Sequence, residues 1–285
     1  MLASVKNILE EAKNNGYAVG AFNAFNMEEA QAIVRACVKK NTPAIIQVSE
    51  KTLNYAGDGL IYDVVKAVVD RESASIPIGF HLDHGHSYDS VIRAVEVGLD
   101  SVMIDAAELG FHENIAATKR VVEYAHPKGV SVQAELGIVP YLGEVDQNPN
   151  WEEFMTNPLD AKCFVEETGV DSLAVSIGNA HGFFRERNEP DWSRLEEIHK
   201  LIPDTYLVIH GGSDWVNHKV AEAVKRGVVC FNVDTDLRIA FNTVLCQFTH
   251  DKCTIIDPRT VMSDARSAVQ EVVEKKIEMF RHPEK

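Results

Sequence analysis

The sequence predicts an α/β fold in which eight parallel strands close into a barrel, each followed by an outer helix, with a C-terminal helical extension. Two patterns lead to this expectation. Short apolar runs alternate eight times with helix-period segments along the 285 residues, the order expected of parallel βαβ units. Polar and ionisable residues also recur at the C-terminal ends of those runs, the rim where a (β/α)8 TIM barrel gathers its chemistry. An open doubly wound sheet shares the alternation and stands as the alternative.

Taken in order, the run at 18–22 is followed by helix-period residues 27–40, and the run at 44–48 by 60–71. The third run, 78–82, leads to 88–97, and the fourth, 101–104, to 113–125. The fifth, 130–135, leads to 158–168, and the sixth, 172–176, to 192–201. The seventh, 206–209, leads to 216–226, and the eighth, 228–233, to 236–248. Residues 260–280 then read as a long terminal helix. A single domain over 1–285 follows, since barrels of about 250 residues form one unit.

Composition narrows the function classes. A formal charge of −15, from 28 basic and 43 acidic residues, gives no long-range attraction to nucleic acid or an anionic membrane, so neither is expected as a partner. The five cysteines (Cys37, Cys163, Cys230, Cys246, Cys253) are widely spaced and form no CxxC pair, as expected of reduced thiols in the cytoplasm. The N-terminus runs directly into an amphipathic stretch with Glu10, Glu11 and Lys13 and lacks the apolar region of a signal peptide. There is no apolar run long enough to span a bilayer.

His84, His181 and His210 each fall within a few residues of the end of a strand-like run. On a closed barrel they meet at one rim, and three neutral imidazoles with an open position are the ligand set of a catalytic zinc. Asp83 stands beside His84 as an acid or base at the same pocket. His81 and His86 are further ligands or local hydrogen-bonding groups. Asp105 and Glu135 offer oxygens to a second divalent cation or orient the imidazoles. In the fifth strand Ser131, Gln133 and Glu135 share one face, and the same parity joins His81 with Asp83 and Asn232 with Asp234. A lone polar residue in a core is usually only hydrogen-bonded, but several converging at strand ends point to a site.

The turn His210-Gly211-Gly212-Ser213 and the segment Asn232-Val233-Asp234-Thr235 follow the seventh and eighth strands, where barrels commonly hold a phosphoryl group. Glycines allow close backbone approach, hydroxyls and amides bind the anion, and Gly182 adds one more N–H. Alone, Gly-Gly-Ser would be a turn.

Six ordered motifs, HLDHG at 81–85, SVMIDA at 101–106, AELG at 134–137, AHG at 180–182, HGGS at 210–213 and NVDT at 232–235, give a resemblance to the class II, metal-dependent fructose-1,6-bisphosphate and tagatose-1,6-bisphosphate aldolases, from Tyr17 almost to the C-terminus. The resemblance implies a zinc-dependent lyase that splits a ketose phosphate into dihydroxyacetone phosphate and an aldehyde such as glyceraldehyde 3-phosphate, through an enediolate. It assigns the three histidines to zinc, Asp83 to the C4 hydroxyl, and Gly182, Gly211, Ser213 and Thr235 to the phosphate. Asn232 and Asp234 fall near the enediolate. Glu144, with Asp146 as rival, matches the group that exchanges the C3 proton, and Arg259 matches an arginine reaching the distal phosphate of a neighbouring subunit. A monovalent cation (Na+ or K+) and a homodimer or homotetramer are implied as well. The chain departs from the pattern at Pro140-Tyr141, where a Gly-Gly pair is usual, at Asp214, where glycine is usual, and across Phe183–Arg187. A metal-dependent isomerase or epimerase and a noncatalytic sugar-phosphate binder are the competing readings.

Overall fold

Eight parallel strands close on themselves in the computed structural model, which describes residues 2–141, 150–182, 189–251 and 256–282. The chain opens with α1 (Val5–Asn15) and β1 (Val19–Asn23), then α2 (Met27–Lys40), β2 (Ala44–Ser49), α3 (Glu50–Ala56), α4 (Asp58–Glu72), β3 (Ile78–Gly85) and α5 (Tyr88–Val97). It continues through β4 (Ser101–Ile104), α6 (Phe111–Ala125), β5 (Ser131–Leu136), α7 (Pro158–Thr168), β6 (Ser172–Val175), α8 (Trp192–Leu201), β7 (Tyr206–Ile209) and α9 (Asn217–Lys225). β8 (Val228–Val233), α10 (Thr235–Asp251) and α11 (Pro258–Arg281) complete it. Closure comes from β1 pairing in parallel with β8, Ala21 opposite Asn232, as well as with β2. The open sheet is thereby excluded.

Strand parity sorts the side chains into two layers. Outward residues such as Phe22, Ile46, Phe80, Leu82, Val132, Leu173, Leu207 and Phe231 form one core with the buried faces of the helices. Inward residues change character along the barrel axis. At the N-terminal end Val19, Ala21, Ile45, Ala174, Val208 and Cys230 pack with Val5, Ile8, Leu9 and Ala12 of α1. The amphipathic first helix therefore plugs that end with apolar surface. Two residues further along the same strands the inward positions become Asn23, Gln47, Asn232 and His210, all buried. The polar site is confined to the C-terminal rim.

Most expected boundaries fall within a few residues of the observed ones, and two differences bear on the site. α3 was not expected; it follows β2 because the Ser49 side chain accepts the Thr52 N–H as its cap. β3 runs past residue 82 to Gly85, with a register irregularity against β4 between Leu82 and Gly85. His84 lies in that irregularity with φ +47°, a left-handed conformation that is strained for a histidine. The bulge re-aims its side chain. The terminal helix, α11, is capped by Asp257, has a proline in its first turn, and packs on α2, α10 and β1.

Candidate active site

His84, His181 and His210 arrive from β3, the segment after β6 and the end of β7, with ligand-capable atoms within 4.8 Å of one another. Their ring centroids are 4.7 Å apart for His84 and His210 and 5.2 Å for His84 and His181. Hydrogen bonds at the outer nitrogens set which nitrogen faces inward. His84 Nδ1 lies 2.5 Å from Asp105 Oδ2, so it donates to that carboxylate, and in the neutral ring that a metal ion requires Nε2 is the lone-pair atom. His210 Nε2 lies 3.1 Å from Gln133 Oε1. An amide oxygen can only accept, so Nε2 carries a proton, and in the neutral ring Nδ1 is the lone-pair atom.

His210 Nδ1 is 3.1 Å from Glu135 Oε2, yet both atoms are buried without a hydrogen-bond partner among the described residues. With His210 neutral, two buried acceptors face each other, which calls for a cation, a proton or a metal ion, between or beside them. The donor set is thus chemically suited to a metal ion. His84, Asp105 and Glu135 form a second group within 4.8 Å, sharing His84 with the first. Glu135 Oε1 is already engaged by the Val139 N–H at 3.1 Å.

The charges are strongly coupled. Burial works against a charged His84, but Asp83, Asp105 and Glu135 outweigh it and hold its pKa up at about 10. Burial, reinforced by His84 and His210, drives His181 down to about 3. For Asp105, burial opposes ionisation, and the His84 hydrogen bond and charge overcome it, lowering the carboxyl to about 2. Asp83 behaves likewise: burial is offset by His84, His210 and an amide, and its carboxyl stays below the usual value. Asn23 Nδ2 donates to Asp83 Oδ2 at 2.9 Å and Asn232 Nδ2 to Oδ1 at 3.1 Å. Gln47 Nε2 steadies Asn23 in turn at 2.6 Å. Asp83 is an ionised, fixed acceptor 3.8 Å from His84 Nε2.

A cavity of about 150 Å³ joins these groups to Gly182, Gly211, Ser213, Asp234 and Thr235. Gly211 has φ +67°, and a Cβ there would stand 2.0 Å from Ala180 O; only glycine lets the turn after β7 press against the segment after β6. Ser213 Oγ accepts the Asp236 N–H at 3.3 Å, and Thr235 begins α10, whose N-terminal amides suit an anion. Asp234 receives the Arg238 Nε at 2.6 Å. Asp214 does not line this cavity.

Other expected residues lie elsewhere. His81 is buried with Nδ1 2.8 Å from Ser101 Oγ, and burial lowers its pKa to about 4; it is a neutral interior group outside both candidate ligand sets. His86 points to solvent, its side chain 68% exposed. Arg259 is 89% exposed, pairs with Asp257 at 2.8 Å, and does not line the cavity in its own chain. Glu144, Asp146 and Phe183–Arg187 lie outside the described residues. Asn23 and Gln47 are site groups that the sequence reading does not name, although their inward parity at strand ends is readable; Gln133 lies on the inward face expected of β5. Tyr141 had been noted only as a departure; its ring stacks on His181 with centroids 4.4 Å apart.

The family described as "Fructose-bisphosphate aldolase class-II" matches residues 3–285. A fructose-bisphosphate aldolase of Thermus caldophilus is 38% identical over 303 aligned positions, covering 98% of this chain and 98% of the relative. Another, from Staphylococcus aureus strain Mu50, is 38% identical over 280, covering 98% and 97%. Among solved structures, the YdjI aldolase from Escherichia coli K12 is similar at TM-score 0.84 and 28% identity, over 98% of this chain and 97% of that one.

Proposed function

The chain belongs to the class II fructose-bisphosphate aldolase family, and from that premise we propose that this carbon–carbon lyase is zinc-dependent. Its substrate in this reading is fructose 1,6-bisphosphate or a close relative such as tagatose 1,6-bisphosphate, cleaved reversibly into dihydroxyacetone phosphate and an aldehyde such as glyceraldehyde 3-phosphate. The observation that carries the reading is the convergence of three imidazoles on a buried, ionised Asp83 held by two amides.

His84, His181 and His210 would hold the ion, favoured as zinc by an all-imidazole set. When bound, zinc supplies a Lewis acid for the ketone oxygen and for the charge left at C3. Asp105 orients His84, Gln133 orients His210, and Glu135 is available to a second divalent ion. Asp83 accepts the C4 hydroxyl proton during cleavage and returns it on condensation; its depressed pKa keeps it unprotonated and ready to accept. Asn23 and Asn232 fix the direction of that carboxylate. Gly182, Gly211, Ser213 and Thr235 hold the phosphate through amides and hydroxyls, with Asp234 tethered to Arg238 beside them and a monovalent cation as counter-ion. Glu144, outside the described residues, is assigned the exchange at C3, and Arg259 the distal phosphate of a neighbouring subunit in a cytoplasmic homodimer or homotetramer.

The test combines metal analysis with product trapping on a panel of ketose phosphates. His84→Ala, His181→Ala and His210→Ala should each lose zinc and cleavage, because two imidazoles remain. Asp83→Asn should retain zinc while cleavage falls about 10²- to 10⁴-fold, the usual range for a lost general base. An epimer or isomer formed without aldehyde would sink the aldolase reading, and full zinc in any histidine variant would remove that residue from the ligand set.

A further inference from the structure

We infer that Tyr141 is a specificity-determining residue for the aldehyde half of the substrate, its ring being the wall against which the carbons beyond C4 must lie. The inference rests on the aldolase reading above. Tyr141 is held at the site through both backbone and ring. Pro140 O accepts the His181 N–H at 2.9 Å, Tyr141 pairs with His181 as an isolated parallel bridge, and the two rings stack at 18° between planes. Despite these ties the residue is 52% exposed, so one surface of the ring remains open to whatever enters the rim.

The shape of the rim decides what meets that surface. The cavity at the imidazoles, about 150 Å³, equals about five water volumes. A whole ketose bisphosphate is larger than that, so its far carbons extend beyond it. Two larger spaces open beyond. One, of about 680 Å³, is lined by Glu50, Lys51, Asn54 and Arg238; the other, of about 690 Å³, has Leu109 and Ile138 in its wall beside Asp105, Glu108 and Glu135. Tyr141 borders all three spaces. Asp83 borders the small cavity and the space with Lys51 and Arg238, and not the other. Since Asp83 handles the C4 hydroxyl, C4 sits where those two meet, and the aldehyde carbons run towards Lys51 and Arg238. Tyr141 stands at the same boundary, between that polar route and the space lined by Leu109 and Ile138. Its ring keeps a bulky aldehyde from spreading sideways and directs a narrow one towards Lys51 and Arg238.

The experiment is condensation of dihydroxyacetone phosphate with two aldehydes, glyceraldehyde 3-phosphate and isovaleraldehyde, by the metal-reconstituted full chain. The reading is the ratio of the two kcat/KM values within each variant, so a general loss of activity cancels. Tyr141→Ala should lower the preference for glyceraldehyde 3-phosphate by about tenfold or more, the scale of discrimination a shaped apolar wall provides. Tyr141→Phe should keep the ratio within about twofold, because the ring and not the hydroxyl forms the wall. Tyr141→Leu supplies the same reading if the alanine variant does not fold. An unchanged ratio in the alanine and leucine variants, or a phenylalanine variant that behaves like them, overturns the assignment. Wild-type protein that neither condenses nor exchanges protons into dihydroxyacetone phosphate defeats the aldolase reading itself, a failure distinguishable from that of Tyr141 alone.

Discussion

Two buried acids behave in opposite ways, and their neighbours explain why. Asp83 has two amide donors and nearby imidazoles, so it stays ionised in spite of burial. Glu29, on α2 and 1% exposed, has among the described residues only the Phe25 N–H on Oε2 at 2.9 Å, and no partner there for Oε1. Burial pushes its carboxyl up to about 8 from 4.5, with Asp234 adding to the rise and Arg238 opposing it. The sign of the linkage follows. Below about 4.5 Glu29 is protonated folded or unfolded and has no effect; between about 4.5 and 8 only the unfolded chain ionises, so stability falls as pH rises. Above that range the full penalty applies, at most about 5 kcal/mol at 1.36 kcal/mol per unit. Glu29→Gln should therefore stabilise the protein more at pH 9 than at pH 5, measured by urea unfolding. An equal effect at both pH values would show that Glu29 does not titrate across this window.

At the scale of elements, the site depends on how outer helices grip the loops of the inner barrel. Lys276, on α11 and 7% exposed, reaches the segments that follow β7 and β8. Its Nζ donates to Ser213 O in the turn after β7 and pairs with Asp236 in the first turn of α10 at 2.8 Å. One buried ammonium thus joins the terminal helix to both segments of the phosphate cradle. Nearby, Phe280 of α11 stacks on Phe231 of β8 with centroids 4.9 Å apart. Removing one partner of a buried ion pair strands the other charge, at about 3–5 kcal/mol. Lys276→Met should destabilise by that order in chemical denaturation, and adding Asp236→Leu should recover much of the loss, since two apolar groups leave nothing unpaired. A double variant no more stable than the single one would show that the contact to Ser213 O, and not the ion pair, carries the energy.

For the whole molecule, closure is the controlling fact, because β1 finds half of its backbone partners on β8 at the far end of the chain. Neither strand can open while the other stays protected in the ring. Native-state hydrogen exchange should accordingly give the amides of Ala21 and Phe22 on β1 and those of Phe231 and Val233 on β8 the same opening free energy, that of global unfolding. A lower value confined to either strand would mean the barrel opens locally at this seam. The alternation of strand and helix was readable from the sequence because periodicity is a local property, written in residues a few positions apart. The convergence of His84, His181 and His210 was readable too, since a closed parallel barrel sends every strand end to one rim, whatever the register. The tertiary structure alone decided the partners. Asn23 and Asn232 reach Asp83 from 60 and 149 residues away, Gln133 meets His210 across 77, and Lys276 finds Ser213 across 63. Such pairings depend on strand register, on the bulge that turns His84, and on how α11 lies over the barrel. Polarity and period can say that a residue faces inward, but the atom it meets there is fixed only when the ring has closed.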